Sequence, residues 1–266
     1  MGGRGLSIEM IPSRKSPSVA EGILSVAAWL AIGILTIFWT LLIGLVYLAH
    51  RWLDPQRRII HRMAGLWGRG LVAMAPGCRV RLFGEGNIPV GRPVIFMANH
   101  QSYADIPVLY FLNGQQFKWM ADTALFQIPF FGWAMRMAGY VPVRRGDARS
   151  GLRSLEEAKG WLKRGIPIFV FPEGTRSHTG ALGRFQTGGF RLAVTTQTPI
   201  VPVVLIGTRR LLPRGGWVFR LGARPQIHLL PPIAPPSSDP RQVRPLARKV
   251  RAEMRSVYRR RLKDFR

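Results

Sequence analysis

The most informative histidine of the sequence is His100, in the segment Asn-His-Gln-Ser-Tyr-Ala-Asp that ends at Asp105. An imidazole ionises near neutral pH and is therefore the usual general base in proteins. A carboxylate that accepts the second ring N–H fixes the tautomer and stabilises the protonated ring. Five residues turn by about 500° on an α-helix, roughly 140° away from a common face. The pair can therefore meet only where a turn enters a helix, and there it predicts general-base chemistry.

A second segment has the residue types of an anion site: Phe-Pro-Glu-Gly-Thr-Arg-Ser, residues 171–177. Gly174 lets backbone N–H groups approach a ligand, and the hydroxyl of Thr175 is a further donor. Arg176 carries a planar fork of donors that matches a phosphate group. A tight turn that caps a helix is the alternative interpretation of this segment.

Two shorter segments add to this set of candidates. Gly139 opens a mainly apolar run that ends in Arg144 and Arg145, and residues 198–203 read Thr-Pro-Ile-Val-Pro-Val. Taken singly, the first is also compatible with a strand that ends in surface arginines, and the second with an ordinary buried strand.

Together, in this order and spacing, the four segments resemble the sequence blocks of the glycerolipid acyltransferase family. His100 and Asp105 match the NHxxxxD pattern of its first block, and Gly139 with Arg145 match the second. Residues 171–177 match the third block, and residues 201–203 match the fourth.

The resemblance covers about residues 80–210 and also includes residues 128–132 and 185–190. Two positions depart from the family pattern. Arg144 stands where a short polar residue is common, and Gln186 stands where a lysine is frequent. Neither belongs to the His–Asp pair, so we expect these departures to affect head-group preference rather than the reaction.

The resemblance implies acyl transfer from a thioester, acyl-coenzyme A or acyl carrier protein, to the sn-2 hydroxyl of 1-acylglycerol-3-phosphate, which gives phosphatidic acid. His100 would be the general base and Asp105 would orient it. Direct transfer is favoured over an acyl-enzyme on Ser102, because the acceptor already supplies a hydroxyl. The resemblance implies no metal and no bound cofactor beyond the thioester carrier.

The residues that we expect to bind the acceptor are Arg145, Glu173, Gly174, Thr175 and Arg176. The two arginines would bind its phosphate. A bare carboxylate beside a phosphate is repulsive, so Glu173 is expected to hold one of the arginines or, second in rank, to meet the acceptor's other hydroxyl.

Two alternatives remain open for the function. The same chemistry suits another lysolipid, such as a lyso-ornithine lipid. A basic, membrane-tethered nucleic-acid-binding protein would explain the charge, since 39 Lys and Arg against 13 Asp and Glu give +26. That second alternative leaves the NHxxxxD and FPEGTRS segments unexplained and shows no nucleic-acid-binding motif, so we expect no nucleic-acid partner.

The elements that position these residues begin with an apolar segment. Residues 22–49 contain no charged side chain, and about 20 residues suffice to cross a bilayer. A signal peptide is disfavoured, because the run is too long and no cleavage site follows. More cations follow the segment than precede it, which predicts a cytoplasmic membrane protein with its main domain facing the cytoplasm. A re-entrant helical pair is the alternative, because Gly33 and Gly44 interrupt the run.

The sequence thus divides into five parts. We expect a disordered tail at 1–21, a transmembrane segment at 22–50, an interfacial amphipathic helix at 51–78, an acyltransferase domain at 79–235 and a basic helix at 236–266. The last helix either packs on the domain or contacts anionic lipid head groups. Membrane lipids are therefore expected partners in addition to the acceptor and the thioester carrier.

The fold class is predicted as α/β, with a mixed central sheet flanked by helices and an N-terminal membrane helix. Apolar runs bounded by Pro or Gly predict strands at 94–98, 166–171 and 200–206. Helices are expected at 103–112 and 154–164. The lone Cys78 excludes an intrachain disulfide and a cysteine-based zinc site.

Overall fold

The computed structural model describes residues 18–112, 114–144 and 146–265, and within these ranges the chain forms eight α-helices and seven strands. The helices are α1 Val19–His50, α2 Arg58–Ala73, α3 Asp105–Leu109, α4 Phe131–Met137, α5 Ala148–Lys163, α6 Gly188–Thr196, α7 Thr208–Leu211 and α8 Val243–Asp264. The strands are β1 Arg81–Phe83, β2 Ile95–Ala98, β3 Lys118–Asp122, β4 Val141–Val143, β5 Ile168–Val170, β6 Ile200–Ile206 and β7 Gln226–Leu229.

The strands form one mixed sheet in the order β1-β7-β6-β2-β5-β3-β4. Every neighbouring pair is parallel except β6 and β7, which are antiparallel. The α/β fold class with a mixed sheet is therefore confirmed, as are the three predicted strands. In register, Ile95 of the central strand lies between Ile168 and Ile200. Because β2, β5 and β3 are parallel, their carboxyl ends meet at one edge of the sheet.

Each face of the sheet has its own core. Ile95 and Met97 of β2 pack with α5, α6 and α8, whereas Phe96 and Ala98 pack with α1, α2, α3 and α4. The strand is buried on both faces, which is why its sequence is a continuous apolar run rather than an alternating one.

Helix α1 has 32 residues and is the one helix in the described part of the chain that is long and apolar enough to cross a membrane. It is continuous through Gly33 and Gly44, so the helix pair considered as an alternative is not formed. Only 11% of the most apolar 18-residue stretch of this helix is buried. A core helix of a soluble protein would be mostly buried, and α1 instead leaves an apolar face uncovered.

One side of α1 contacts the domain along much of its length. Near its start, the Trp29 indole N–H donates to the carbonyl of Trp217 at 2.6 Å. Further along, Thr36 accepts from the indole of Trp67 at 3.2 Å, and Ile43 is buried against the core. The helix therefore lies on the same face as α2 and α4, and the domain and the apolar helix form one body.

Several boundaries differ from the sequence predictions: the helix expected at 51–78 is α2 Arg58–Ala73, and the helix expected at 236–266 is α8 Val243–Asp264. Residues 1–17 of the predicted tail lie outside the described part, and α1 begins earlier than expected because Ser18 and Glu21 form a capping box. Helix α5 also begins early, because the Asp147 side chain accepts from the Ser150 N–H at 2.9 Å. The predicted helix at 103–112 is only the short α3.

The C-terminal helix α8 packs on the face of the sheet opposite to α1. Its apolar stripe, Leu246, Val250, Met254 and Tyr258, is buried, and most of its cations are exposed; half-buried Arg251 instead donates to the carbonyl of Gly183 at 2.7 Å. Of the two alternatives predicted for this helix, packing on the domain is therefore confirmed for its apolar stripe.

Candidate active site

The candidate residues meet at the edge where the parallel strands end. His100 follows β2, and residues 171–177 follow β5, its neighbour in the sheet. Asn99 fixes the exit from β2: its side-chain amide donates to the carbonyl of Leu205 at 3.0 Å and accepts from the Leu205 N–H at 2.7 Å. Sequence reasoning gave Asn99 no role beyond the motif, because its partner is 106 residues away.

The structure brings His100 and Asp105 together. Nδ1 of the ring lies 2.7 Å from Oδ2 of the carboxylate, which begins helix α3 after the turn at 101–104. A carboxylate at this distance accepts the Nδ1 proton, so the neutral ring carries its lone pair on Nε2. The ring stacks on Phe171, with centroids 4.0 Å apart, and its side chain is 14% exposed. His100 is thus oriented with one nitrogen left for a ligand.

The carboxylate of Asp105 also organises the turn that precedes it. Oδ2 accepts from the backbone N–H groups of Gln101 at 2.6 Å and Ser102 at 2.9 Å. The side chain is fully buried, and Oδ1 has no hydrogen-bond partner among the described residues. Since two N–H donors and the imidazole share one oxygen, the position of Asp105 is fixed by the same contacts that orient the base.

The segment after β5 holds the backbone of His100 from both sides. Glu173 Oε1 accepts from the His100 N–H at 2.9 Å, and Ser177 donates its N–H to the His100 carbonyl at 2.7 Å. Glu173 Oε2 accepts from the Gly183 N–H at 2.7 Å. Burial raises the pKa of Glu173 above its usual value, while the N–H groups of His100 and Gly183 act in the opposite direction.

The preferred expectation for Glu173, that it holds an arginine, is wrong for Arg176. Both oxygens of the carboxylate are occupied by backbone N–H groups, and no ion pair joins the two side chains. The physical reason is burial: Glu173 is 6% exposed and lies beneath the segment, where backbone donors rather than a guanidinium reach it.

The predicted substrate-binding residues are not all in one place. Gly174, with a φ of +71°, and Thr175 line a cavity that His100 also lines. Arg176 stands beside that wall, with its guanidinium 3.6 Å from the centroid of the Tyr103 ring. Its carbonyl accepts a hydrogen bond from Arg214. Arg145 lies outside the described residues.

The cavity has a volume of about 760 Å³ and two chemically different ends. Its polar end is at His100, Glu173, Gly174 and Thr175. Its apolar end is formed by side chains that sequence reasoning did not assign to the site: Trp67, Tyr110, Trp119, Leu125, Phe131 and Met135. Tyr110, Trp119 and a third residue, Tyr140, form a buried hydrogen-bonded group, with the two phenol oxygens 2.7 Å apart.

Two further residues at the site were missed. Arg191, on the first turn of α6, lines the cavity together with Gln186. Gln186 stands where a lysine is frequent in the family, and this missing cation could have directed attention to Arg191, five positions later. Tyr258 of α8 supports the loop from behind, because its hydroxyl accepts from the Gln101 amide at 2.6 Å. No sequence signal distinguishes Tyr258 from an ordinary core residue.

The family model named Acyltransferase matches residues 79–206. The chain is 40% identical over 181 residues to the chloroplastic 1-acyl-sn-glycerol-3-phosphate acyltransferase of Arabidopsis thaliana, covering 66% of this chain and 50% of the relative. It is 34% identical over 187 residues to the human 1-acyl-sn-glycerol-3-phosphate acyltransferase alpha, covering 69% and 65%.

A solved structure has the same fold over nearly its whole length. The crystal structure of PlsC, the 1-acyl-sn-glycerophosphate (LPA) acyltransferase of Thermotoga maritima, aligns with a TM-score of 0.76 and 26% identity, covering 91% of this chain and 96% of that one. Residues 79–206 therefore form an acyltransferase domain. This confirms the resemblance, and the family match begins at Arg79 and ends at the last residue of β6. The chain spans about half the length of the plant relatives that it matches.

Proposed function

We propose that the protein transfers an acyl group from a thioester to the sn-2 hydroxyl of 1-acylglycerol-3-phosphate, giving phosphatidic acid. The observation that carries the proposal is the His100–Asp105 pair, 2.7 Å apart, at the polar end of a cavity whose other end is apolar. The names of the relatives from Arabidopsis thaliana and Homo sapiens specify this acceptor for those proteins.

In the proposed reaction, His100 acts as the general base. Its Nε2 takes the proton of the acceptor hydroxyl while the hydroxyl oxygen attacks the carbonyl carbon of the thioester. The tetrahedral intermediate then collapses, the carbon–sulfur bond breaks, and the imidazolium returns the proton to the leaving thiolate. Asp105 keeps the proton on Nδ1 and stabilises the imidazolium between the two transfers.

Direct transfer is preferred over an acyl-enzyme. Ser102 is fully buried, and its hydroxyl donates to the carbonyl of Leu212 at 2.5 Å and accepts from the Ala104 N–H at 3.0 Å. A serine nucleophile must instead present its hydroxyl to a base. Ser102 therefore serves the turn around Asp105, and the acceptor hydroxyl is the nucleophile.

We assign the acyl chain to the apolar end of the cavity and the acceptor's head group to the polar end. Gly174 and Thr175 supply donors there, and Arg145 and Arg176 bind the phosphate. To do so, Arg176 leaves its stacked position on Tyr103, and Arg191 supplies a further cation from α6. Glu173 acts by holding His100 in place. No metal takes part, and the thioester carrier, acyl-coenzyme A or acyl carrier protein, is a substrate.

The apolar face of α1 supports attachment to a membrane, where both the acceptor and the product reside. We propose that this helix anchors the protein in the cytoplasmic membrane with the acyltransferase domain on the cytoplasmic side. Alkaline carbonate washing should leave the full-length protein in the membrane fraction, because high pH disrupts electrostatic contacts at the membrane surface but does not extract an inserted apolar helix. Release by that wash would contradict the anchor.

The activity is tested with a radiolabelled acyl group, carried on coenzyme A or on acyl carrier protein, and a panel of acceptors: 1-acylglycerol-3-phosphate, other lysophospholipids and lyso-ornithine lipid. We expect label in phosphatidic acid, with the phosphate monoester as the best acceptor. Label only in the ornithine lipid would establish the alternative acceptor. No transfer to any acceptor from either thioester carrier would contradict the proposed function.

A further inference from the structure

A second cavity, of about 550 Å³, lies beside the catalytic one. Residues near one another around the start of α5 line different cavities: Arg144, Asp147 and Ser150 line the second cavity, whereas Gly146 and Gly151 line the catalytic cavity. The proposed reaction assigns no role to the second cavity.

Four arginines converge on this second cavity from three directions. Arg136 comes from the end of α4, Arg144 follows β4, and Arg149 and Arg153 lie one turn apart on α5. All four are exposed. Within the described part of the chain, none of them forms an ion pair with a carboxylate. Guanidinium groups that gather around a concave space without carboxylate partners favour an anionic ligand.

The two acidic residues that line the cavity do not neutralise this charge. Asp147 accepts the Ser150 N–H at 2.9 Å and so caps the positive end of helix α5. Glu157 lies at the other end of the arginine stripe on α5, and desolvation raises its pKa above the usual value. Four cations against two acids, one of them already engaged at a helix N-terminus, leave the cavity positive.

Arg144, which lines this second cavity, is one of the two positions at which the sequence departs from the family pattern. A short polar residue is common at that position, and here it is a cation that faces the second cavity. Arg144 therefore adds positive charge to the second cavity rather than to the catalytic one.

We propose that the second cavity binds a phosphate-bearing group that is distinct from the acceptor's phosphate. An arginine guanidinium can bind two phosphate oxygens at once. Four guanidinium groups therefore suit a ligand with more than one phosphate, or a membrane surface that presents several phosphates. Two sources supply this chemistry: the nucleotide end of a coenzyme A thioester, which lies a long flexible arm away from the reacting carbonyl, and the head group of an anionic membrane lipid. The first source rests on the proposed function; the second does not.

The test is direct binding to the full chain in neutral detergent micelles, measured by titration calorimetry. One probe is adenosine 3′,5′-bisphosphate, and the other is dihexanoylphosphatidylglycerol, with dihexanoylphosphatidylcholine as the neutral reference. The variant is Arg149→Gln with Arg153→Gln. The matched control is Arg244→Gln with Arg248→Gln, an exposed pair of the same spacing on α8 that removes the same charge away from the cavity.

We expect one of the two probes to bind the wild type and the control equally, and to bind the cavity variant at least about tenfold more weakly. Loss for the nucleotide identifies the donor as the source, and the KM of acyl-coenzyme A should then rise while that of acyl carrier protein stays constant. Loss for phosphatidylglycerol identifies the lipid head group. Equal affinity of the two variants for both probes, or no binding to the wild type, would overturn the proposal. Since the titration involves no acyl transfer, this outcome is independent of the proposed reaction.

Discussion

The loop that carries His100 and the arginines that line the two cavities differ in how their positions are fixed. Both backbone polar groups of His100 are bound by residues 173–177, and its ring is fixed by Asp105 and Phe171. By contrast, Arg144 and Arg191 are exposed and make no ion pair in the part of the chain that the structure describes. The imidazole of His100 is therefore held in position before substrate binds, whereas the exposed arginines are not held by carboxylate partners.

This difference predicts that changes at the loop reduce turnover, while changes at the arginines reduce affinity. The largest effect among the supporting groups is expected for Asp105→Asn. An amide favours the wrong imidazole tautomer, so kcat should fall by about 10²–10⁴-fold. Steady-state kinetics against Asp264→Asn, at the exposed end of α8, provides the control. Unchanged turnover in a folded Asp105→Asn protein would show that His100 does not need the carboxylate.

A smaller effect is expected for Glu173→Gln. The amide can accept from only one of the two N–H groups that now share the carboxylate, and its NH₂ would face the other donor. We expect kcat to fall by roughly 10- to 100-fold, about 1.4–2.8 kcal/mol, with little change in the acceptor KM. An increase confined to the acceptor KM would instead place Glu173 on the substrate.

The variant Arg176→Lys tests the arginines rather than the loop that carries His100. Lysine keeps the charge but loses the planar fork, so kcat/KM for a phosphate monoester acceptor should fall by about tenfold through KM. An acceptor without that phosphate should be spared, and Arg255→Lys on α8 serves as the control. Equal losses for both acceptors would show that the contact of Arg176 with Tyr103 is structural.

A separate prediction concerns the free energy of unfolding and involves a buried cation outside the site. Lys118 of β3 is fully buried, donates to the carbonyl of Ala138 at 2.7 Å and has its pKa lowered to about 7, chiefly by burial. Between pH 7 and 10 the unfolded chain therefore holds a proton that the folded chain has released. Stability should rise with pH in this window, by at most about 1.4 kcal/mol per pH unit.

The matched variant is Lys118→Met, which lacks this titration. The difference in thermal unfolding midpoint between wild type and variant, measured in detergent from pH 7 to 10, should move in favour of the wild type. A constant difference would show that the ammonium stays charged in the folded protein.

The sequence predicted the parts of this structure that are local. The three apolar runs became β2, β5 and β6, and the turn entering α3 is where His100 and Asp105 meet. Residue types and spacing determine these features, because strand burial and helix rotation act over a few residues.

What the sequence did not predict depends on contacts between distant residues. Glu173 binds the His100 backbone 73 positions away, and Tyr258 reaches Gln101 across 157. The same holds for the apolar end of the cavity, which is assembled from α2, β3 and α4. Such partners follow from topology, and a single sequence carries no pattern for them.

The most direct test of the central claim, that the fixed imidazole of His100 is the base, is the turnover number of His100→Ala. The exposed His178→Ala, in the neighbouring loop, is the matched control. With saturating acyl-coenzyme A and 1-acylglycerol-3-phosphate, we predict that kcat of His100→Ala falls by at least about 10²–10⁴-fold, while the protein stays folded and His178→Ala retains wild-type turnover. A folded, membrane-bound His100→Ala protein with near-wild-type kcat would contradict the account.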